Sequence, residues 1–65
     1  MYIEVKPAYG RDYKSQKEVR ADWNGGKDFQ MTDTGQYIGK AEAEAEGLSV
    51  IVRYGKLMKV MDVTR

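Results

Sequence analysis

The chain has no cysteine and no histidine, and a single proline. Without cysteine there are no disulfide staples and no thiolate zinc site, and without histidine imidazole ligation is gone as well. Only carboxylate sites for hard cations remain, and no cofactor is expected. Long apolar runs are missing too. The longest, Leu48-Ser49-Val50-Ile51-Val52, is far short of the roughly 20 residues that span a bilayer. The first residues, Met1-Tyr2-Ile3-Glu4-Val5-Lys6, have no signal-peptide shape. These features predict a soluble, cytoplasmic protein. Excess charge of one sign is also absent: eleven basic residues face ten acidic ones. A strong basic balance would by itself have argued for nucleic acid, and that argument is not available. Charge is nevertheless unevenly placed. Lys6, Arg11, Lys14, Lys17, Arg20 and Lys27 dominate the first half, and Glu42, Glu44 and Glu46 form an acidic run in the middle.

What is present is enough for one small domain. The 65 residues bury only about 60% of the surface their unfolded chain exposes. Stability then depends on good packing or on oligomerisation. The segment Ser15 to Gly26 carries a complete helix grammar. Ser15 suits the N-cap, and Glu18 completes a capping box. Val19 and Trp23, four apart, share a face. Asn24-Gly25-Gly26 ends the helix, because glycine tolerates the left-handed conformation found there. The helix is predicted over Gln16 to Asn24, with Trp23 in the core.

Ile3-Glu4-Val5-Lys6 alternates and reads as a half-buried strand ended by Pro7. Tyr2 then points away from Ile3 and Val5. Asp28 to Thr32 alternates again, with Phe29 and Met31 on one face. The run Lys40 to Gly47 alternates alanine with glutamate, both good helix formers and poor strand formers. It predicts a short helix, about Ala41 to Glu46, capped by Gly47, with Ala41 and Ala45 facing the core. The tail predicts a hairpin. Ser49 to Tyr54 and Leu57 to Val63 flank Gly55-Lys56, which suits a type II′ turn. That register pairs Tyr54 with Leu57, Val52 with Lys59, Val50 with Met61 and Leu48 with Val63. The opposite face holds Ser49, Ile51, Arg53, Met58, Val60 and Asp62. Both faces are partly apolar, so the hairpin is covered on both sides or one face is a contact surface. The expected architecture is a single α+β domain over residues 1–65. Its order is β-α-β-α-β-β, with a mostly antiparallel sheet and the Trp23 helix across one face.

No catalytic constellation emerges. Ser15 and Ser49 have no histidine to activate them, and Ser15 is better explained as a cap. Asp12, Asp22, Asp28 and Asp33 sit at loops and helix ends, where capping and turn roles suffice. Glu42, Glu44 and Glu46 read as a solvated acidic helix before they read as a cation site. The expectation is therefore a binding protein, with no enzymatic activity and no metal.

The aromatics suggest what is bound. Five tyrosines are many for this length. Tyr9-Gly10-Arg11-Asp12-Tyr13-Lys14 mixes rings with cations beside an alternating strand. Single-stranded nucleic acid is held this way, with rings stacked on bases and cations on phosphates. Tyr2, Tyr9 and Tyr13 are the stacking candidates, and Lys6, Arg11, Lys14 and Arg53 the phosphate candidates. The bland alternative is that these tyrosines line a small core with their hydroxyls at the surface.

The motif Ala21-Asp22-Trp23-Asn24-Gly25-Gly26-Lys27-Asp28-Phe29, preceded by Pro7-Ala8-Tyr9-Gly10-Arg11-Asp12-Tyr13, resembles small, uncharacterised proteins encoded by bacteriophages and prophages. That resemblance implies the cytoplasm of a bacterial host as the setting. It implies no mechanism. Two functions fit: a small accessory protein binding single-stranded nucleic acid, or a protein–protein interaction module such as an inhibitor of a host protein. The second rests on near-neutral charge, four methionines and the two-sided hairpin, with Ile51, Met58 and Val60 as its interface. The last strand lies at a sheet edge and predicts a homodimer.

Overall fold

A computed structural model describes residues 2–8, 13–55 and 59–65. Five strands and two helices follow one another as β1 (Tyr2–Pro7), α1 (Gln16–Asn24), β2 (Phe29–Met31), β3 (Tyr37–Ile38), α2 (Lys40–Glu46), β4 (Ser49–Arg53) and β5 (Val60–Asp62). The strands form one sheet in the order β3-β2-β1-β4-β5. This is a small α+β fold, as expected. The sheet is mixed, however, where a mostly antiparallel one was expected. Its two central strands, β1 and β4, run parallel, with Tyr2 opposite Ser49 and Val5 opposite Val52. The reason is the return path. After β3 the chain climbs through α2 and comes down on the free side of β1, and such a crossover sets the new strand parallel. The two-residue strand β3 was also not foreseen.

Helix α1 forms where its sequence grammar places it. The Ser15 hydroxyl accepts the Glu18 N–H at 3.3 Å. The Glu18 carboxylate reaches back one residue further than a capping box requires and accepts the Lys14 N–H at 2.8 Å. Gly26 takes the left-handed conformation, φ 84°. It donates to Trp23, and Lys27 donates to the Asp22 carbonyl five residues back. Helix α2 ends identically: Gly47 has φ 66°, and Leu48 donates to the Ala43 carbonyl at 2.9 Å. Both are Schellman ends, in which a left-handed residue lets the next N–H close on the last turn.

The expectation that Ala41 and Ala45 face the core is corrected. Ala43 is buried, and both others are exposed. In an Ala-Glu alternation any alanine is eligible, so the flanking residues decide. Gly39 is buried one turn before Ala43, and Gly47 stands one turn after it. Ile38, just before the helix, and Leu48, just after it, pack in the core, and these two anchors turn the Ala43 side inward.

The hairpin register is corrected as well. Ile51 pairs with Asp62, Val52 with Met61, and Arg53 with Val60. The register slides by two residues from the one expected, and the expected partner of Tyr54, Leu57, lies outside the described residues. Tyr54 donates to the Lys59 carbonyl at 2.9 Å. A slip of two keeps each side chain on its own face, so the face assignments survive for the described residues.

One core results, on one side of the sheet. Val5, Phe29, Ile38, Val50, Val52, Met61 and Val63 meet Val19 and Trp23 of α1 and Ala43 of α2. The Trp23 and Phe29 rings meet edge to face at 5.7 Å. Both helices lie on this side, and the opposite face of the sheet has no layer over it among the described residues.

Candidate functional site

The bare sheet face is assembled by strand alternation. Residues next to core residues along each strand point away from the helices. On β1 these are Tyr2, Glu4 and Lys6. On β2 and β3 they are Gln30 and Tyr37, and on β4 and β5 they are Ser49, Ile51, Arg53, Val60 and Asp62. Register then orders them. Tyr37 lies opposite Gln30, and Gln30 opposite Lys6. Carried one step past the Val5–Val52 pair, the parallel register sets Lys6 beside Arg53, and Arg53 lies opposite Val60. A single row, Tyr37-Gln30-Lys6-Arg53-Val60, therefore crosses all five strands. With strands about 4.8 Å apart, Tyr37 and Arg53 are about 14 Å apart. The neighbouring row holds Glu4, Ile51 and Asp62 in register.

Exposure singles out the same face. Among the described residues, the exposed large hydrophobic side chains are Tyr2 (55%), Tyr37 (55%) and Val60 (47%), and all three are on it. Lys6 is exposed. Arg53 is engaged: its Nη2 donates to Glu4 Oε1 at 2.7 Å. The other Glu4 oxygen accepts from the Thr32 hydroxyl at 3.0 Å. The Arg53 and Thr32 hydrogen bonds hold the Glu4 carboxyl below its ordinary range. Glu4 in turn pushes the Arg53 guanidinium above its own. Nearby, the Thr64 hydroxyl donates to Asp62 Oδ1 at 2.7 Å and lowers that carboxyl, with smaller help from the Thr64 N–H, the Arg65 charge and the Tyr2 hydroxyl.

No family model, curated protein or solved structure matches this chain. The site therefore has to be read from its own geometry.

The residues singled out by sequence scatter when placed. Tyr2, Lys6 and Arg53 come together on the bare face, with Ile51 half-buried and Val60 exposed beside them. Tyr9, Arg11 and Met58 lie outside the described residues. Tyr13 requires correction. Its ring is 9% exposed and stacks on Phe29 at 6.1 Å, and its hydroxyl donates to Asp22 Oδ2 at 2.6 Å. It is core with its hydroxyl partnered, as the bland alternative had it, and its ring cannot take a base. Lys14 is exposed just ahead of α1 and belongs to none of the strands that build the face. Tyr37 and Gln30 were missed. A two-residue strand carries too little periodicity to show, and the only local signal was the Gly35 and Gly39 that bracket it.

No group of three or more acidic side chains is arranged for a metal ion among the described residues. The acidic helix is used internally: Glu42 accepts the Gly39 N–H at 3.2 Å, and Glu44 lies 4.0 Å from Lys40. No helix among the described residues is long and apolar enough to cross a membrane.

Proposed function

We propose that this domain binds single-stranded nucleic acid across the helix-free face of its sheet. The observation that supports this is the row Tyr37-Gln30-Lys6-Arg53, which lines up an exposed ring, an amide and two cations. A base stacks on Tyr37 while the backbone crosses Lys6 and Arg53. About 14 Å accommodates roughly four steps at the ~3.4 Å stacked rise, so the footprint is short. Gln30 donates its amide to the Gly35 carbonyl at 3.0 Å, which orients its own oxygen as an acceptor for a base. Two cations neutralise at most about two phosphates, so the salt dependence should be shallow, no steeper than about −1.4 in log–log slope. A phage or prophage in a bacterial cytoplasm is the proposed setting.

Titration of a fluorescent deoxythymidine oligomer at low salt tests this. Tyr37→Ala should weaken binding by about 1–3 kcal/mol, the usual worth of one stacked base. Lys6→Ala should reduce the salt slope by about 0.7. Absence of binding at about 100 micromolar protein, where nonspecific binders already associate, would overturn the reading. So would a Tyr37→Ala protein that binds as the wild type does.

A second reading is supported by the other end of the face. Val60 is exposed beside half-buried Ile51, and the face carries Glu4 and Asp62 as well as its cations. Mixed charge around apolar groups suits a protein partner, a second copy of the chain included. In that case Val60→Lys would abolish the association and leave oligonucleotide binding no weaker.

A further inference from the structure

We propose that Glu4 is an internal occupant of the cation site, and that a phosphate-bearing ligand reaches Arg53 by displacing it. This rests on the nucleic-acid reading of the face and adds the residue that limits its affinity. Glu4 and Lys6 are two apart on β1 and share the face, and Arg53 lies beside Lys6 on β4. The guanidinium does not wait empty. Nη2 is closed on Glu4 Oε1 at 2.7 Å, diagonally across the strand pair. Both side chains are 36% exposed, so ligand and water reach the contact. A guanidinium presents its donors in a fork that fits a phosphate at least as well as a carboxylate.

Exchange also leaves Glu4 with a partner. Its Oε2 keeps the Thr32 hydroxyl, and the Thr32 N–H donates to the Glu4 backbone carbonyl at 3.1 Å, which holds the two strands in register. Lys6 has no ion-pair partner among the described residues. With Glu4 on Arg53 the row therefore offers one uncommitted cation, and with Glu4 displaced it offers two. Glu4 thereby lowers affinity for every polyanion without touching the ring that stacks.

The test is a double-mutant cycle on binding of a fluorescent deoxythymidine oligomer. It compares wild type, Glu4→Gln, Arg53→Ala and the double variant, each checked for folding by thermal unfolding. Gln preserves an acceptor for Thr32. Glu4→Gln should tighten binding about two- to fivefold, the worth of an exposed ion pair, and steepen the salt slope by up to about 0.7. In the Arg53→Ala background the gain should vanish. Wild-type affinity in Glu4→Gln, or a gain that persists without Arg53, overturns the exchange. Tyr37→Ala separates this from failure of the parent reading. If it abolishes binding while Glu4→Gln changes nothing, only the exchange is wrong. If no variant binds, both are.

Discussion

Arg20 of α1 donates Nη2 to the backbone carbonyl of Asp62 on β5, at 3.4 Å. That carbonyl lies on the outer edge of the sheet. Lys59 and Val63 turn their backbone toward β4, bonding Tyr54 and Val50, so Val60 and Asp62 turn theirs outward. Nη1 of the same guanidinium bonds the Arg65 carbonyl at 3.3 Å. An edge strand invites pairing with another chain, and a charged side chain laid over its carbonyls discourages it. Arg20→Ala should therefore promote association through β5, seen as a rise in weight-average mass with concentration relative to wild type. Both bonds are long, and the one to Arg65 is exposed, so stability should fall by only about 0.5 kcal/mol. Identical sedimentation of the two proteins would show that Arg20 does not guard this edge.

Tyr13 offers a separate measurement of what a partly buried hydroxyl contributes. Tyr13→Phe keeps the stack on Phe29 and removes the hydroxyl that bonds Asp22. Asp22 retains Lys27 at 3.6 Å, so it is not left bare. The expected loss in urea unfolding is about 1 kcal/mol. Tyr13→Ala, which empties part of the core, should cost about 3 kcal/mol or more. Equal stability of Tyr13→Ala and wild type would contradict a buried ring.

Gly47 isolates a backbone effect. A Cβ added there meets nothing within 4 Å, yet φ is 66°. Gly47→Ala should lower stability by about 1 kcal/mol through the left-handed backbone alone. Gly47→Asn, which tolerates that conformation better, should cost less. The order Asn below Ala in stability would argue against the conformational explanation.

Acid should weaken the fold through Glu4 and Asp62. Both carboxyls are held below their ordinary values of 4.5 and 3.8 in the folded chain. A depressed pKa means the unfolded chain binds protons first as pH falls. Their contribution is thus complete above about 4.5 and is lost progressively below it, as each passes its folded value. Both groups are well solvated, so the effect is small. A Glu4→Gln, Asp62→Asn double variant should show a flatter stability profile between pH 5 and 2. A profile as steep as the wild type's would assign the acid sensitivity to other groups.

Sequence and structure agree best where the information is local. Within a dozen residues, Ser15, Val19, Trp23 and Gly26 hold a cap, a buried stripe and a stop, and α1 needs nothing more. Gly47 ends α2 for the same reason. Agreement weakens where a pattern is degenerate. Three alanines alternating with glutamate cannot say which one turns inward, and the flanking core residues Ile38 and Leu48 settle it for Ala43. A hairpin slip of two residues leaves every side chain on its face, so alternation alone cannot distinguish Val52–Lys59 from Val52–Met61. Tyr13 looks like any loop tyrosine until Phe29 stands 6.1 Å from it.

By itself the sequence determined the class of fold, the α1 helix and the division of the β1, β4 and β5 residues into two faces, because these follow from caps, glycines and periodicity over a few residues. The tertiary structure alone decided that β4 joins the free edge of β1 in parallel. Lys6 and Arg53 are far apart in the chain, and no short-range rule couples them. Only that long-range pairing puts them in one row with Tyr37 and closes Arg53 on Glu4. The candidate site is thus a product of register between distant strands, and register is set by the whole core at once.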